Sequence, residues 1–149
     1  MGLTRSRTRR GSAAALTLLM AAALGAAGSE ASSADTAAPQ KRLIASSVLG
    51  DDYRITLTAL RSAGDEYAAS VRLQVYTRAG GAWQESDRVT VGDVDGWFWY
   101  PLTGERAVCR FSTAGTEPAP LSVSLLVTPS IGCSDAVHYV VRDGRVYAG

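Results

Sequence analysis

Short stretches in which apolar and polar residues alternate recur between residues 43 and 148. In the segment VRLQVY, which begins at Val71, every second residue is Val or Leu. Such two-residue periodicity is typical of a strand with one buried face. The stretches end at groups of Gly, Pro, Asp and Ser, which favour turns. No stretch has the 3.6-residue period of an amphipathic helix. The pattern therefore predicts an all-β fold.

The spacing of the turns predicts eight or nine short strands. Regular short strands with tight turns indicate a single antiparallel β-sandwich or small barrel, and the sequence leaves that choice open. We assign this domain to residues 43–149. The predicted strands are Leu43–Leu49, Tyr53–Leu60, Tyr67–Arg78, Trp83–Val91, the aromatic run Trp97–Tyr100, Arg106–Ser112, Leu121–Thr128, Ala136–Arg142 and Arg145–Ala148.

Residues 1–31 have the features of an export signal. Four Arg residues between positions 5 and 10 precede the apolar segment Ala13–Ala27, which is followed by small residues. This order is that of a cleaved secretory signal peptide. The apolar segment is shorter than the about 20 residues that span a bilayer. We therefore expect a secreted protein with no membrane contact after cleavage.

Residues 32–42 form a predicted flexible tail. The sequence SSADTAAPQK, which begins at Ser32, is small and polar and has neither a helix nor a strand period. The alternative is a tail that becomes ordered on a partner. Ala38, Pro39 and Gln40, next to the domain, are its predicted partner contacts.

The charge balance argues against nucleic-acid binding. Cleavage after residue 31 leaves 11 basic and 13 acidic residues, a net charge near −2, and the Arg residues are scattered. Nucleic-acid binders carry clustered basic residues. We expect other secreted proteins as partners and no nucleic acid.

Cys109 and Cys133 are the only cysteines. In an exported chain an even number of cysteines indicates a disulfide. Closing this loop stabilises a fold by roughly 3–4 kcal/mol in the chain-entropy treatment. Two Cys and one His are no recognisable zinc set, and we expect neither a metal nor a cofactor.

No convincing catalytic signature is present. His138 is the only histidine, and Ser134 and Asp135 are close to it in sequence, but there is no Gly-x-Ser-x-Gly elbow. Asp93 and Asp95 in GDVDG resemble part of a calcium loop, but Trp97 stands where a ligand would follow. We interpret that segment as a turn and predict no catalytic residues.

Two segments are candidate binding surfaces. In a strand, Trp97 and Trp99 would share one face and Phe98 and Tyr100 the other, so one pair can fill a core while the other faces a partner. Trp83 could extend such a patch. The second segment is Thr128–Asp135, which a disulfide at Cys133 would hold in the manner of an inhibitor loop.

The mature chain resembles the small B components of umbrella toxin particles from high-GC Gram-positive bacteria. The resemblance rests on the export signal, the tail Ser32–Lys41, the size, the cysteine pair and the strand segments VRLQVY and LSVSLLV. In those particles a short secreted protein bridges a lectin-like component to a large repeat-bearing toxin. The resemblance implies an adaptor whose tail docks in a partner, and it assigns no site to a numbered residue.

The sequence thus predicts a secreted, non-enzymatic interaction module, with an adaptor of an extracellular antibacterial toxin complex as its specific form. The alternative is an inhibitor of an extracellular hydrolase that acts through residues 128–135. A third hypothesis is a carbohydrate-binding domain that uses Trp97, Trp99 and Trp83.

Overall fold

The computed structural model describes residues 38–149. The predicted signal peptide and residues 32–37 of the predicted tail lie outside the described residues. Within residues 38–149, no helix is long and apolar enough to cross a membrane. The elements are β1 (Lys41–Leu49), β2 (Tyr53–Arg61), β3 (Ala68–Ala79), β4 (Ala82–Val91), β5 (Trp97–Phe98), α1 (Trp99–Thr103), β6 (Val108–Thr113), β7 (Ala119–Thr128), β8 (Gly132–Cys133), β9 (Val137–Arg142) and β10 (Arg145–Ala148).

The strands form two antiparallel sheets, so the predicted all-β sandwich is confirmed and the barrel is excluded. The first sheet has the order β1-β2-β3-β4, and β5 pairs with the start of β3. The second sheet has the order β10-β9-β7-β6, and β8 pairs with β7. β1 begins at Lys41, two residues before the predicted start of that strand.

The core lies between the sheets and is built by the alternation seen in the sequence. Every second residue of the central strands points inward and is buried, and burial of such side chains is the main favourable term in folding. The inward residues include Ile55, Leu57, Val71, Leu73 and Val75 from the first sheet and Leu121, Val123, Leu125, Tyr139 and Val141 from the second.

Side-chain hydrogen bonds join the two sheets at their edges. On one side the Val146 amide donates to Asp87 Oδ2 at 2.9 Å. On the other side the hydroxyls of Ser47 in β1 and Thr113 in β6 are 3.3 Å apart. No main-chain ladder connects these edges among the described strands. The fold is therefore a sandwich of two separate sheets whose edges are linked by side chains.

The disulfide between Cys109 and Cys133 is present, as predicted. It links β6 to β8, the two-residue strand that forms a hairpin with β7. A register shift between Val108 and Arg110 places a bulge at Cys109. Consequently Val108, and not Cys109, shares the inner face with Phe111.

One part of the predicted strand pattern is wrong. The aromatic run is a strand only at Trp97–Phe98, and the chain then turns into the one-turn helix α1. Pro101, which directly follows the predicted strand Trp97–Tyr100, is the third residue of this helix. Proline is tolerated in a first helical turn because its missing N–H would have no intrahelical acceptor there.

The two ends of the sandwich differ in chemistry. Of the eight large hydrophobic side chains that are exposed in residues 38–149, five lie where β1 and β3 begin and β2 and β4 end: Leu43, Tyr67, Val94, Phe98 and Tyr100. Turns at the opposite end carry Asp51, Asp52, Glu117 and Asp143. There Tyr53 donates to Glu117 Oε2 at 2.9 Å.

Candidate functional site

The four aromatic residues of the run divide into a buried pair and an exposed pair, as the sequence alternation predicts. Trp97 and Trp99 are buried in the core, whereas Phe98 is 47% and Tyr100 58% exposed. The Trp97 indole donates to the Val91 carbonyl at 2.7 Å. Gly92, next to Val91, has φ +70°, a left-handed conformation that glycine adopts without strain. Trp97 and Trp99 are thus unavailable to a partner.

A third aromatic side chain joins the exposed pair. Tyr67 is 59% exposed, and its ring centre lies 6.2 Å from that of Tyr100 with the planes tilted by 50°. Phe98 pairs with Ala68, the neighbour of Tyr67. We call Tyr67, Phe98 and Tyr100 the aromatic surface. Aromatic side chains that offer a large apolar face with few rotatable bonds are frequent anchors of interfaces.

Asp95 fixes the loop that leads into the aromatic run. Its carboxylate accepts hydrogen bonds from Ser62 Oγ at 3.0 Å and Ser70 Oγ at 3.1 Å, and its amide donates to Ser70 Oγ at 2.7 Å. Its φ of 54° is in the left-handed region that Asp tolerates better than most residues. No group of three or more potential metal ligands occurs in the part of the chain that the structure describes. The GDVDG segment therefore serves as a braced turn in this structure.

Arg61 joins the predicted tail to the aromatic surface. Its amide donates to the Gln40 carbonyl at 2.8 Å, and its guanidinium donates to Gln40 Oε1 at 3.0 Å. The same guanidinium donates to the Glu66 carbonyl at 2.9 Å and lies 5.8 Å from the Tyr100 ring centre. Ala38 and Pro39 precede Gln40 and are exposed. The described end of the tail therefore lies beside the aromatic surface.

The segment 128–135 reaches the same region from the second sheet. An open, mostly apolar groove of about 420 Å³ is lined by Tyr100, Pro101, Gly104, Glu105, Arg106, Leu126 and Pro129. We call it the Tyr100 groove. Beyond it, Ile131 is 69% exposed at the tip of the β7–β8 hairpin, where its amide donates to Thr128 Oγ1 at 3.0 Å. Three candidate segments, far apart in sequence, thus meet at one end of the sandwich.

Trp83 lies far from the aromatic surface. It pairs with Arg78 near the end of β3, whereas Trp97 pairs with Ala69 near its start. Nine residues of strand place these two positions about 30 Å apart. Trp83 is half-buried, and the Arg78 guanidinium lies 4.7 Å from its ring centre. It therefore does not extend the aromatic surface.

The side chains of Ser134, Asp135 and His138 form no hydrogen bonds with one another. Ser134 Oγ donates to the Asp135 carbonyl at 2.9 Å and accepts from the Leu125 amide at 3.1 Å, so this hydroxyl stabilises the turn after β8. His138 is exposed on the outer face of β9. Its side chain makes no hydrogen bond to any residue from 38 to 149.

Comparison of the chain with protein-family models, with curated protein sequences and with solved structures found no match. The structure thus defines a disulfide-linked β-sandwich that carries aromatic residues at one end and acidic turns at the other.

Proposed function

We propose that this protein is a secreted, non-enzymatic interaction module whose protein partner binds the aromatic surface and the Tyr100 groove. The observation that carries the proposal is the exposure of Tyr67, Phe98 and Tyr100 at one end of the sandwich, where the ring centres of Tyr67 and Tyr100 are 6.2 Å apart. Contiguous exposed apolar side chains on a soluble domain mark interaction sites more often than isolated ones do.

The residues around the aromatic surface favour binding because they hold it in place before a partner binds. Asp95 holds the preceding loop, buried Trp97 and Trp99 hold the backbone on both sides of Phe98, and Arg61 braces Tyr100. A surface that is already ordered loses less conformational entropy when a partner binds.

A pull-down with the tagged mature protein from the native culture supernatant tests the proposal. The double substitution Phe98→Ser and Tyr100→Ser should abolish recovery of the partner. The matched control is Tyr147→Ser, which removes an exposed tyrosine from the outer face of β10. Equal recovery by wild type and double variant, with both folded by circular dichroism, would contradict the proposal.

As the specific role we propose an adaptor that bridges subunits of an extracellular antibacterial toxin complex. The resemblance noted from the sequence supports it, as does the junction of the tail beside the aromatic surface at Gln40. The same pull-down should then recover two large secreted proteins, a lectin-like subunit and a repeat-bearing toxin. Deletion of residues 32–40 should weaken that recovery while the fold persists.

A second candidate function is inhibition of an extracellular hydrolase. Exposed Ile131 at the tip of a hairpin next to the Cys109–Cys133 disulfide favours it. Ile131→Asp should abolish inhibition in a hydrolase panel, whereas Val48→Asp, at an exposed position of β1, should not. A panel in which no hydrolase is inhibited would remove this candidate.

The structure does not favour the sugar-binding hypothesis. Trp97 and Trp99 are buried, and Trp83 lies at the other end of the first sheet.

A further inference from the structure

The outer face of the first sheet carries one cationic side chain in each of five successive rows of paired residues. Alternate residues of β3 are buried in the core, so the residues between them, and those they pair with in β2 and β4, point away from the second sheet. The cations of the five rows are, in order along the strands, Lys41, Arg72, Arg88, Arg54 and Arg78. We call this surface the basic face. Strand pairing thus gathers cations that are scattered along the sequence.

The cations of the basic face are regularly spaced. Successive rows are separated by two residues of strand, which is about 7 Å. The cations belong to four neighbouring strands and so lie within a band about 14 Å wide. Beyond the last row, Asp51 and Asp52 line a cavity together with Arg78, so the series of cations ends there. A linear anionic chain that lies along the strands would therefore meet another cation at each row.

Most of these cations are not neutralised by a carboxylate. Glu85 is the only acidic residue in the five rows. It forms an ion pair with Arg88, and no other cation of the basic face forms one with any residue from 38 to 149. Five cationic side chains therefore stand against one carboxylate, and the face is complementary to an anionic partner.

The two aromatic rings of the basic face hold cations in place. The Arg54 guanidinium lies 5.9 Å from the ring centre of Tyr76, the Arg78 guanidinium lies 4.7 Å from that of Trp83, and both rings are half-buried. Stacking of this kind orients a guanidinium without removing its charge. Binders of single-stranded nucleic acid stack bases on aromatic rings, and proteins that read duplex DNA insert a helix or a β-ribbon into a groove. A flat face whose rings are occupied by arginines fits neither mode.

We propose that the basic face binds an extended anionic polysaccharide that runs along its strands. Evenly spaced cations match the repeating carboxylate or sulfate groups of such a chain, whereas acidic residues on a folded protein have no fixed repeat. Arginine donates to both kinds of oxyanion through a fork of N–H groups. Exposed hydroxyls of Ser46 and Thr90, in the same rows, can pair with sugar hydroxyls. Contact through charge distinguishes this site from stacking of sugars on tryptophan, and it includes no residue of the aromatic surface.

Isothermal titration calorimetry of the mature protein with an anionic oligosaccharide tests the proposal. Size-defined oligosaccharides of heparin and of polygalacturonate are the probes, and neutral dextran is the reference. At least one anionic probe should bind, with a dissociation constant that rises with salt, and dextran should not. The two anionic arms distinguish sulfate from carboxylate. Absence of binding to both, or tighter binding to single-stranded DNA of equal charge, would overturn the proposal.

The double variant Arg54→Gln and Arg72→Gln should raise the dissociation constant about tenfold or more, because two contacts to charged groups are lost. Neither side chain forms a hydrogen bond or ion pair with residues 38–149, so the fold should persist, which circular dichroism checks. The matched control is Arg142→Gln with Arg145→Gln, which removes the same charge from exposed positions of β9 and β10 in the second sheet. Equal weakening by both double variants would show attraction to overall charge alone and would overturn the proposal, as would unchanged affinity in Arg54→Gln with Arg72→Gln.

Discussion

The guanidinium of Arg61 lies 5.8 Å from the ring centre of Tyr100, although the two residues are 39 positions apart in sequence. Arg61 ends β2 and also bonds to Gln40, the last residue before β1. A single side chain thereby connects the tail, the first sheet and the aromatic surface. A cation over an aromatic face adds about 0.5–1 kcal/mol at exposed sites.

Arg61→Gln should loosen this connection. The shorter neutral side chain cannot reach Gln40, Glu66 and Tyr100 together, so amide hydrogen exchange at Arg42 and Leu43 should accelerate. The free energy of unfolding should fall by only about 1 kcal/mol, because the contacts are near the surface. Arg72→Gln is the control, since the Arg72 side chain makes no hydrogen bond or ion pair with residues 38–149. Unchanged exchange in Arg61→Gln would show that Arg61 does not hold the tail.

Asp95→Ala should destabilise the fold by about 0.5–1.5 kcal/mol in urea denaturation, because its hydrogen bonds lie at the surface. The substitution leaves the hydroxyls of Ser62 and Ser70 without their acceptor and puts a less tolerant residue at a positive φ. Asp95→Asn should have a smaller effect, because it keeps one carbonyl oxygen and tolerates that φ. Asp93→Ala, in the same loop, is the control and should stay close to wild type. A loss in Asp93→Ala equal to that in Asp95→Ala would contradict the bracing role.

Alanine substitutions at the neighbouring residues Trp97 and Phe98 should have very different effects on the free energy of unfolding. Trp97→Ala removes a buried indole and its hydrogen bond to Val91, which should cost about 3–5 kcal/mol. Phe98→Ala removes a half-exposed ring and should cost about 1 kcal/mol or less while it weakens partner recovery. Urea midpoints and pull-down yields of the two variants provide the comparison. Similar destabilisation by both would contradict the division into a core pair and a surface pair.

Sequence periodicity predicted most of the fold because the central strands bury one face, as β3 shows with Val71, Leu73 and Val75. Trp97 and Trp99 are both buried, as strand alternation would group them, although Trp99 lies in α1 and not in the predicted strand. It did not predict α1, because a one-turn helix has no period to detect and Pro101 there resembles a strand terminator.

The composition of the candidate site was harder to predict. Tyr67 is the first residue of a predicted strand and Arg61 directly follows the predicted strand Tyr53–Leu60, and nothing in the local sequence marks either as a site residue. Their role depends on contacts with Gln40 and Tyr100 that only the sheet order creates. The position of Trp83 could not be predicted for the same reason, because the pairing of β4 with β3 decides at which end of β3 it lies.

Replacing both Cys109 and Cys133 with alanine should lower the free energy of unfolding by about 2–4 kcal/mol. The disulfide closes a loop between residues 24 positions apart and ties β8 to β6. Since β8 is only two residues long, exchange of the amides from Ile131 to Ser134 should accelerate more than exchange in β9. Uniform acceleration over both segments would show that the disulfide stabilises the whole sandwich and not this hairpin in particular.

Stability should decline in alkaline solution above the ordinary tyrosine range. Burial raises the pKa of Tyr53 above its usual value of 10.0, and the hydrogen bond to Glu117 adds to the shift. Burial also raises the pKa of Tyr139. A raised pKa means that the folded state favours the neutral phenol. This stabilisation is complete below the tyrosine pKa of the unfolded chain and is lost as pH rises through the tyrosine pKa of the folded protein.

Urea denaturation from pH 8 to pH 12 should therefore show a decline in the free energy of unfolding that begins near about pH 10. Tyr53→Phe should make the decline shallower, and Tyr147→Phe, at an exposed tyrosine, should not. An unchanged pH dependence in Tyr53→Phe would show that its ionisation does not limit alkaline stability.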